Sequence, residues 1–518
     1  MSASNALRNF LLLLCLFAPS AWMIATIPPL WRDADAYVQT TENPLIATFW
    51  GYAPAYCYVA KVPLFVGERF ERWRENAPAA ARESSQPRLT DSGIWLLIVG
   101  QHLALCGAAF YFIIAVSYFF WVRLALAMAW ASNSLFYTFA HCVGSETLGL
   151  ILIVLLVGKG LRLIQSRGEP RWKGWYVYAV ILCLCFLSRS LNLGLISLLP
   201  AAFLLSLMLN RAAARCASSV PQRLWLRRLG ARDLRYALIA IAIGFASLAM
   251  ASYATHGVAR KTRFHPHSRI GFTFLWRLQF LEDLSPDSRV ALMRRMAARA
   301  RSPRVRQLIE LREQMLAERA DMSSGPYMQR AIELYGGNFH WEELDRGLNQ
   351  MALTFLLPPS LEILNAARED LVTVLKSPST VVSYYLFATT SYYFGHQEEM
   401  SQCAGLVTFR NSHADQIALL PSQHLYLHLW QGLSYLTVFI AWLVLLLVFA
   451  VMARRRRTNM RAIAAFGIAL TAVGFLVFAS ACLVHNLEAR FAVTMWQLLL
   501  LSLFLFAGKT VDLFARPA

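Results

Sequence analysis

An all-α bundle of transmembrane helices carrying a small, mostly helical domain outside the cytoplasm is the fold class that three observations on this 518-residue sequence predict. Hydrophobic residues make up 57 % of the chain and charged ones only 15 %, where a soluble protein carries roughly a quarter charged residues. Apolar runs of about the length that crosses ~30 Å of hydrocarbon recur from end to end. Between them lie short basic loops: Lys159, Arg162, Arg167, Arg171 and Lys173; Arg211, Arg215, Arg223, Arg227, Arg228, Arg232 and Arg235; Arg454 to Arg457 with Arg461. That is the positive-inside pattern of cytoplasmic loops. The +19 net charge thus belongs to membrane topology, and no nucleic-acid partner is implied.

Ten spans follow, at about 9–30, 94–118, 122–140, 147–164, 174–188, 191–209, 234–253, 424–452, 462–483 and 490–508. With ten, both termini share a side, and starting inside puts every basic loop inside. Arg8, a short apolar core and Ala18-Pro-Ser-Ala21 would suit a cleaved signal, but apolar character runs on through Trp31 and favours a retained first span. The stretch 174–209 is too long for one ordinary helix and is divided at Ser188–Asn192.

Three regions result: residues 1–253 with the first seven spans and an external loop at 31–93; an external domain at 254–423; and residues 424–518 with three more spans and a short cytoplasmic tail. In the first loop Pro44, Pro54 and Pro63 interrupt an aromatic, semi-apolar run too often for a spanning helix, which predicts short helices lying in the membrane interface. In the domain, residues 285–320 have helical patterning with Pro286 at a helix start, and a second helical region lies near 360–376.

Four outer connections carry ionisable or strongly polar groups. Asp33 and Asp35 follow the first span, flanked by Arg32 and Tyr37. His141, Ser145 and Glu146 lie in HCVGSETL, Arg189 and Asn192 in LSRSLN, and His485, Asn486, Glu488 and Arg490 in VHNLEARF. Charges at that depth are costly unless paired or used, so they mark a functional site by default. A carboxylate can take the proton of an attacking hydroxyl, and Arg or His can hold a departing phosphate oxyanion. Acids at i and i+2 could instead hold a divalent metal, Mg or Mn, bridging to phosphate. The set suits transfer from a phosphate-linked donor, and a lipid tail on that donor would explain a site at the membrane boundary. Simpler roles exist for each group: Asp33 and Asp35 as helix caps, Glu146 facing a helix dipole, Arg490 as an interface anchor with Glu488 as its partner.

Three of these connections resemble motifs of the membrane-embedded GT-C glycosyltransferases, the superfamily of protein O-mannosyltransferases and the lipid A aminoarabinose transferase. R-D-A-D-A-Y at 32–37 resembles their first-loop acidic motif, S-E-T-L at 145–148 the acidic position of their second external loop, and H-N-L-E-A-R-F at 485–491 their H-x-x-E-x-R-Y element. The chain departs from the pattern in having D-A-D where many relatives have adjacent D-E, and Phe491 where Tyr is commoner. The domain at 254–423 resembles nothing in that superfamily. The resemblance implies an inverting transferase that moves a sugar from a polyprenyl phosphate to a hydroxyl of a glycan, lipid or protein outside the cytoplasm, in a bacterial inner membrane. It makes Asp33 or Asp35 the base or part of a metal site, has Glu146 assist, and puts Arg189, His485 and Arg490 on the donor phosphate, with Arg32, Tyr37, His141 and Glu488 nearby. A transporter or flippase is the competing class. It should place ionisable groups near mid-membrane and on both faces, whereas the sequence shows spans nearly free of them.

Overall fold

A computed structural model describes residues 3–26, 29–31, 54–74, 90–166, 172–215, 220–262, 270–318, 324–335, 341–377, 424–425, 428, 434–454, 459–485 and 489–515. Eight of the helices formed there are long and apolar enough to cross a membrane: Asn5–Thr26, Asp91–Val116, Ser145–Gln165, Leu191–Arg215, Arg228–His256, Tyr435–Ala453, Met460–Val484 and Val493–Ala515. The chain is a multi-pass integral membrane protein, and its described residues are nearly all helical. Two shorter apolar helices, Phe120–Ala131 and Trp172–Ser188, stand where two further crossings are expected.

Helix α1 (Ala3–Thr26) buries Leu12, Leu16 and Met23 in the bundle, with Arg8 over the Phe120 ring at 5.7 Å. The two-residue strand β1 (Leu30–Trp31) follows. Helix α2 (Pro54–Arg74) is one continuous helix with Pro63 inside it, not the series of short helices that the prolines suggest. A proline costs a helix one hydrogen bond and a local kink, and this helix is held elsewhere by its crossing with α3 (Asp91–Val116). There Gly67 meets Gly93 so closely that a Cβ on Gly67 would lie 2.1 Å from the Gly93 amide nitrogen. Only two glycines permit that backbone approach. Tyr58, Val62, Phe65, Phe70 and Trp73 of α2 stay exposed, an apolar stripe suited to lipid.

The predicted span 122–140 is two helices, α4 (Phe120–Ala131) and α5 (Ser134–Ala140). Asn133 makes the break, its Oδ1 accepting from the Leu135 amide at 3.0 Å as an N-cap. Strand β2 (Cys142–Val143) then leads into α6 (Ser145–Gln165), and α7 (Trp172–Ser188) follows. The predicted division at Ser188–Asn192 is present. Ser188 Oγ and Asn192 Nδ2 both donate to the Cys185 carbonyl, at 2.8 and 3.1 Å, and share it with the last helical bond, from the Arg189 amide at 3.2 Å. A 3-10 segment (Ser190–Ser197) continues into α8 (Leu198–Arg215). Helix α9 (Val220–Thr262) has 43 residues, about 65 Å at 1.5 Å per residue, and so outruns the hydrocarbon.

A second core gathers α10 (Ile270–Arg277), α11 (Pro286–Arg299), α12 (Pro303–Ala317), α13 (Ser324–Leu334) and α14 (Trp341–Leu356) around Phe274, Leu308, Met351 and Phe355. The helical patterning of 285–320 resolves into two helices, each opened by proline, the first capped by Ser285. Helix α15 (Leu361–Lys376), capped by Ser360, belongs to both cores: Ile363 packs into the second, Ala367 and Val374 into the membrane bundle. The bundle closes with α16 (Tyr435–Arg454), α17 (Asn459–Val484) and α18 (Val493–Ala515). The first of these begins at Tyr435, later than the predicted 424. Helices α6 and α18 are central, tied by Gln497 Nε2 donating to the Leu150 carbonyl at 2.7 Å.

Candidate functional site

One end of the bundle, called the site end below, is organised around a short parallel pairing. Leu30 pairs with Cys142 and Trp31 with Val143, and the Leu30 amide donates to the His141 carbonyl at 2.8 Å. The exit of the first span is thereby fixed beside the turn that opens α6. Arg32, Asp33, Asp35, Tyr37 and Glu488 themselves lie outside the described residues.

The turn at 140–144 is held from three helices by groups that hydropathy hides. Gln101 of α3 donates from Nε2 to the carbonyls of Ala140 and Cys142, at 3.0 and 3.1 Å. Tyr56 of α2 donates to Gln101 Oε1 at 3.1 Å and accepts from the Gly144 amide at 3.0 Å. The His102 ring bridges Ser20 Oγ of α1 at 2.9 Å and His141 Nδ1 at 3.0 Å. Both histidines are fully buried. His141 is therefore part of the scaffold beneath the turn, with the Trp95 ring edge-on at 6.0 Å.

Glu146 stands in the first turn of α6 after Gly144, where the helix N-terminus favours a carboxylate. Arg189 reaches it from the break after α7, Nη2 to Oε1 at 3.6 Å. That separation makes an ion pair but exceeds a good hydrogen bond. The pair keeps 12 % and 13 % side-chain exposure, enough for a ligand to compete. Arg189 lies across Gly149, whose ideal Cβ would sit 3.5 Å from Arg189 Cδ. The following 3-10 segment packs Gly194 on Val477 of α17.

His485 ends α17, its ring stacked on Trp276 of α10 at 6.4 Å between centroids and edge-on to Phe491 at 4.8 Å. The second core thus reaches the site end. Arg490 lies in a one-turn 3-10 segment, Ala489–Ala492, that leads into α18. Next to Trp276, Arg277 is 2 % exposed and bonded through Nη1 to Asp370 of α15. Burial, outweighing the neighbouring Arg277, pushes the Asp370 carboxyl above its ordinary range.

Searches with protein-family models, curated proteins and solved structures return no match for this chain.

Two of the predicted site residues, Glu146 and Arg189, come together directly. His141 joins His102, and His485 joins Trp276. Among the described residues no group of three His, Cys, Asp or Glu is placed to hold a metal ion. Within the predicted spans one buried ionisable group stands out, His102 inside α3; just beyond the predicted bounds of others the far end of the bundle buries Asp233, bonded to Ser206 and Asn210, and Asp512, bonded to Ser117 and Lys509. Arg277, His102 and Gln101 were not legible as site components. A lone polar residue in an apolar run gives no sign of which partner it meets.

Proposed function

We propose that the protein is an inverting glycosyltransferase of GT-C type, moving a sugar from a polyprenyl-phosphate donor to a hydroxyl-bearing acceptor at the outer face of a bacterial inner membrane. The observation that carries this reading is the Glu146–Arg189 pair, a carboxylate and a guanidinium from different connections, set at the end of the bundle where β1 closes the first span. A carboxylate there suits proton removal from the acceptor, and the guanidinium suits a phosphate leaving group. Asp33 or Asp35 is the base, alone or with a divalent metal such as Mg or Mn, and Glu146 assists it. Arg189, His485 and Arg490 face the donor phosphate. Inversion needs one base and one displacement, so no second carboxylate nucleophile is required.

A transporter or flippase for a lipid-linked or small solute is the second reading, favoured by the buried ionisable groups at both ends of the bundle. Those at the far end are closed in mutual bonds and offer a solute little to bind. The experiment uses purified protein, short-chain polyprenyl phosphate sugars and a membrane extract supplying acceptors, and follows free polyprenyl phosphate. Release by wild type that is abolished in Asp33→Asn or Asp35→Asn, in a protein that still folds, supports the transferase and identifies its base. No release with any of several sugars, together with flux across liposomes, supports transport instead.

A further inference from the structure

Arg277 is a buried charged group whose hydrogen-bonding capacity is only partly used. Its Nη1 is committed to Asp370, yet Nε and Nη2 are shut off from solvent and have no hydrogen-bond partner. A buried donor left unpaired costs about 1–3 kcal/mol, and more when charged. A native structure keeps such a group where something else completes it. Nε and Nη2 form one edge of the guanidinium, with two parallel N–H groups spaced to match two oxygens of a phosphate. Helices α10 and α15, which carry Arg277 and Asp370, both pack on α17. The Phe280 ring stands 5.7 Å from the Arg277 guanidinium carbon, giving an apolar wall.

We propose that Arg277 is an oxyanion receptor, its Nε–Nη2 edge taking two oxygens of a phosphate group at the junction of the second core with the outer end of α17. Its place at the rim of the bundle suits a phosphate carried on a membrane lipid. This rests on the transferase reading only for the identity of that carrier. Asp370 orients the guanidinium through Nη1 and leaves the phosphate-matching edge without a hydrogen-bond partner. Trp276, on the preceding position, covers His485, so α10 brings both an aromatic face and a cation to the motif that ends α17.

The test uses full-length protein in nanodiscs and measures binding of a short-chain prenyl monophosphate, with inorganic phosphate and the uncharged prenol as comparison ligands. Wild type should bind the phosphorylated lipid, and Arg277→Lys, which keeps the charge but loses the fork, should bind it about tenfold more weakly or worse. Asp370→Asn, which loosens the clasp but keeps the edge, should weaken it far less. Equal losses in Asp370→Asn and Arg277→Lys would show that Arg277 only seats the two cores together, and binding unchanged in Arg277→Lys would equally overturn the proposal. Arg277→Gln adds a neutral variant, and the lysine variant decides alone where that one fails to fold. Inorganic phosphate binding as tightly as the lipid, with the same loss in Arg277→Lys, would keep the receptor and assign it to free phosphate. Arg277-dependent binding in a protein that transfers no sugar would keep this site and remove the transferase. Sugar transfer indifferent to Arg277→Lys would do the reverse.

Discussion

The two ends of the bundle differ in how fully their buried polar groups are bonded. At the far end, Asp233 accepts from Ser206 at 2.8 Å and Asn210 at 2.9 Å, with Arg461 reaching the same asparagine at 3.5 Å. Asp512 accepts from Ser117 and pairs with Lys509 at 3.2 Å. Thr510 Oγ1 there is buried without a partner, but at the site end such groups are more numerous: Asn192 Oδ1, Tyr435 OH, Trp496 Nε1, Gln497 Oε1 and the Nε–Nη2 edge of Arg277, beside a Glu146–Arg189 ion pair at 3.6 Å. A closed set of bonds is a clasp. An open set is what a ligand completes. The contrast separates polar groups that hold the spans together from those available for chemistry, which total charge and hydropathy cannot do.

The sharpest way to break this comparison is Glu146→Gln. With intact folding, release of polyprenyl phosphate should fall about 100-fold or more, measured as initial rate at saturating donor, while the thermal midpoint barely moves. A large loss of stability with unchanged rate would make the pair another clasp. Asp233→Ala should behave the opposite way. Removing the acceptor of two buried donors should cost about 3 kcal/mol of stability, seen as a lower unfolding midpoint and a smaller monodisperse fraction, with normal specific activity in the protein that survives. His102→Ala lies between the two. Loss of the Ser20 and His141 bonds and of a buried ring should cost about 2 kcal/mol, with part of the activity lost because the turn at 140–144 loosens.

A gentler probe is pH. The Asp370 carboxyl is raised in the folded chain by burial despite Arg277, so the folded state holds its proton to higher pH than the unfolded one. Its contribution is therefore most favourable below the ordinary aspartate range and is lost as pH rises through the raised folded value. Asp370→Asn should flatten that slope, measured as unfolding midpoint against pH. The smallest effect is expected at Glu318, an exposed residue whose carboxyl is lowered by bonds from Arg330 and Gln314. Glu318→Gln should leave both activity and midpoint unchanged within error, as exposed pairs usually do.

Hydropathy and charge made the membrane class and most helix positions legible, because span length and basic loops are set by the bilayer itself. They placed the breaks at Ser188–Asn192 and before α11, where side chains compete with the backbone or proline opens a helix. They missed the break at Asn133, since one capping asparagine inside an apolar run barely alters a hydropathy average. They misread α2, where Pro63 is carried within a helix braced by a glycine crossing. Of the candidate site, Glu146 and Arg189 could be named from their places at span ends. That they would pair, and that Trp276 of the second core would cover His485, depends on how distant segments pack.

Helix α15 has a consequence for how this protein could be rebuilt. Its first turn belongs to one core and its later turns to another, so the membrane bundle and the second core share a single rigid strut. A foreign soluble domain grafted at this boundary would need a helix apolar on two levels, one matched to each neighbour. Without that it would leave the flank of the bundle uncovered where Ala367 and Val374 now pack. The two parts are therefore not interchangeable modules, and a chimera is more easily made by exchanging the whole run from α10 through α17.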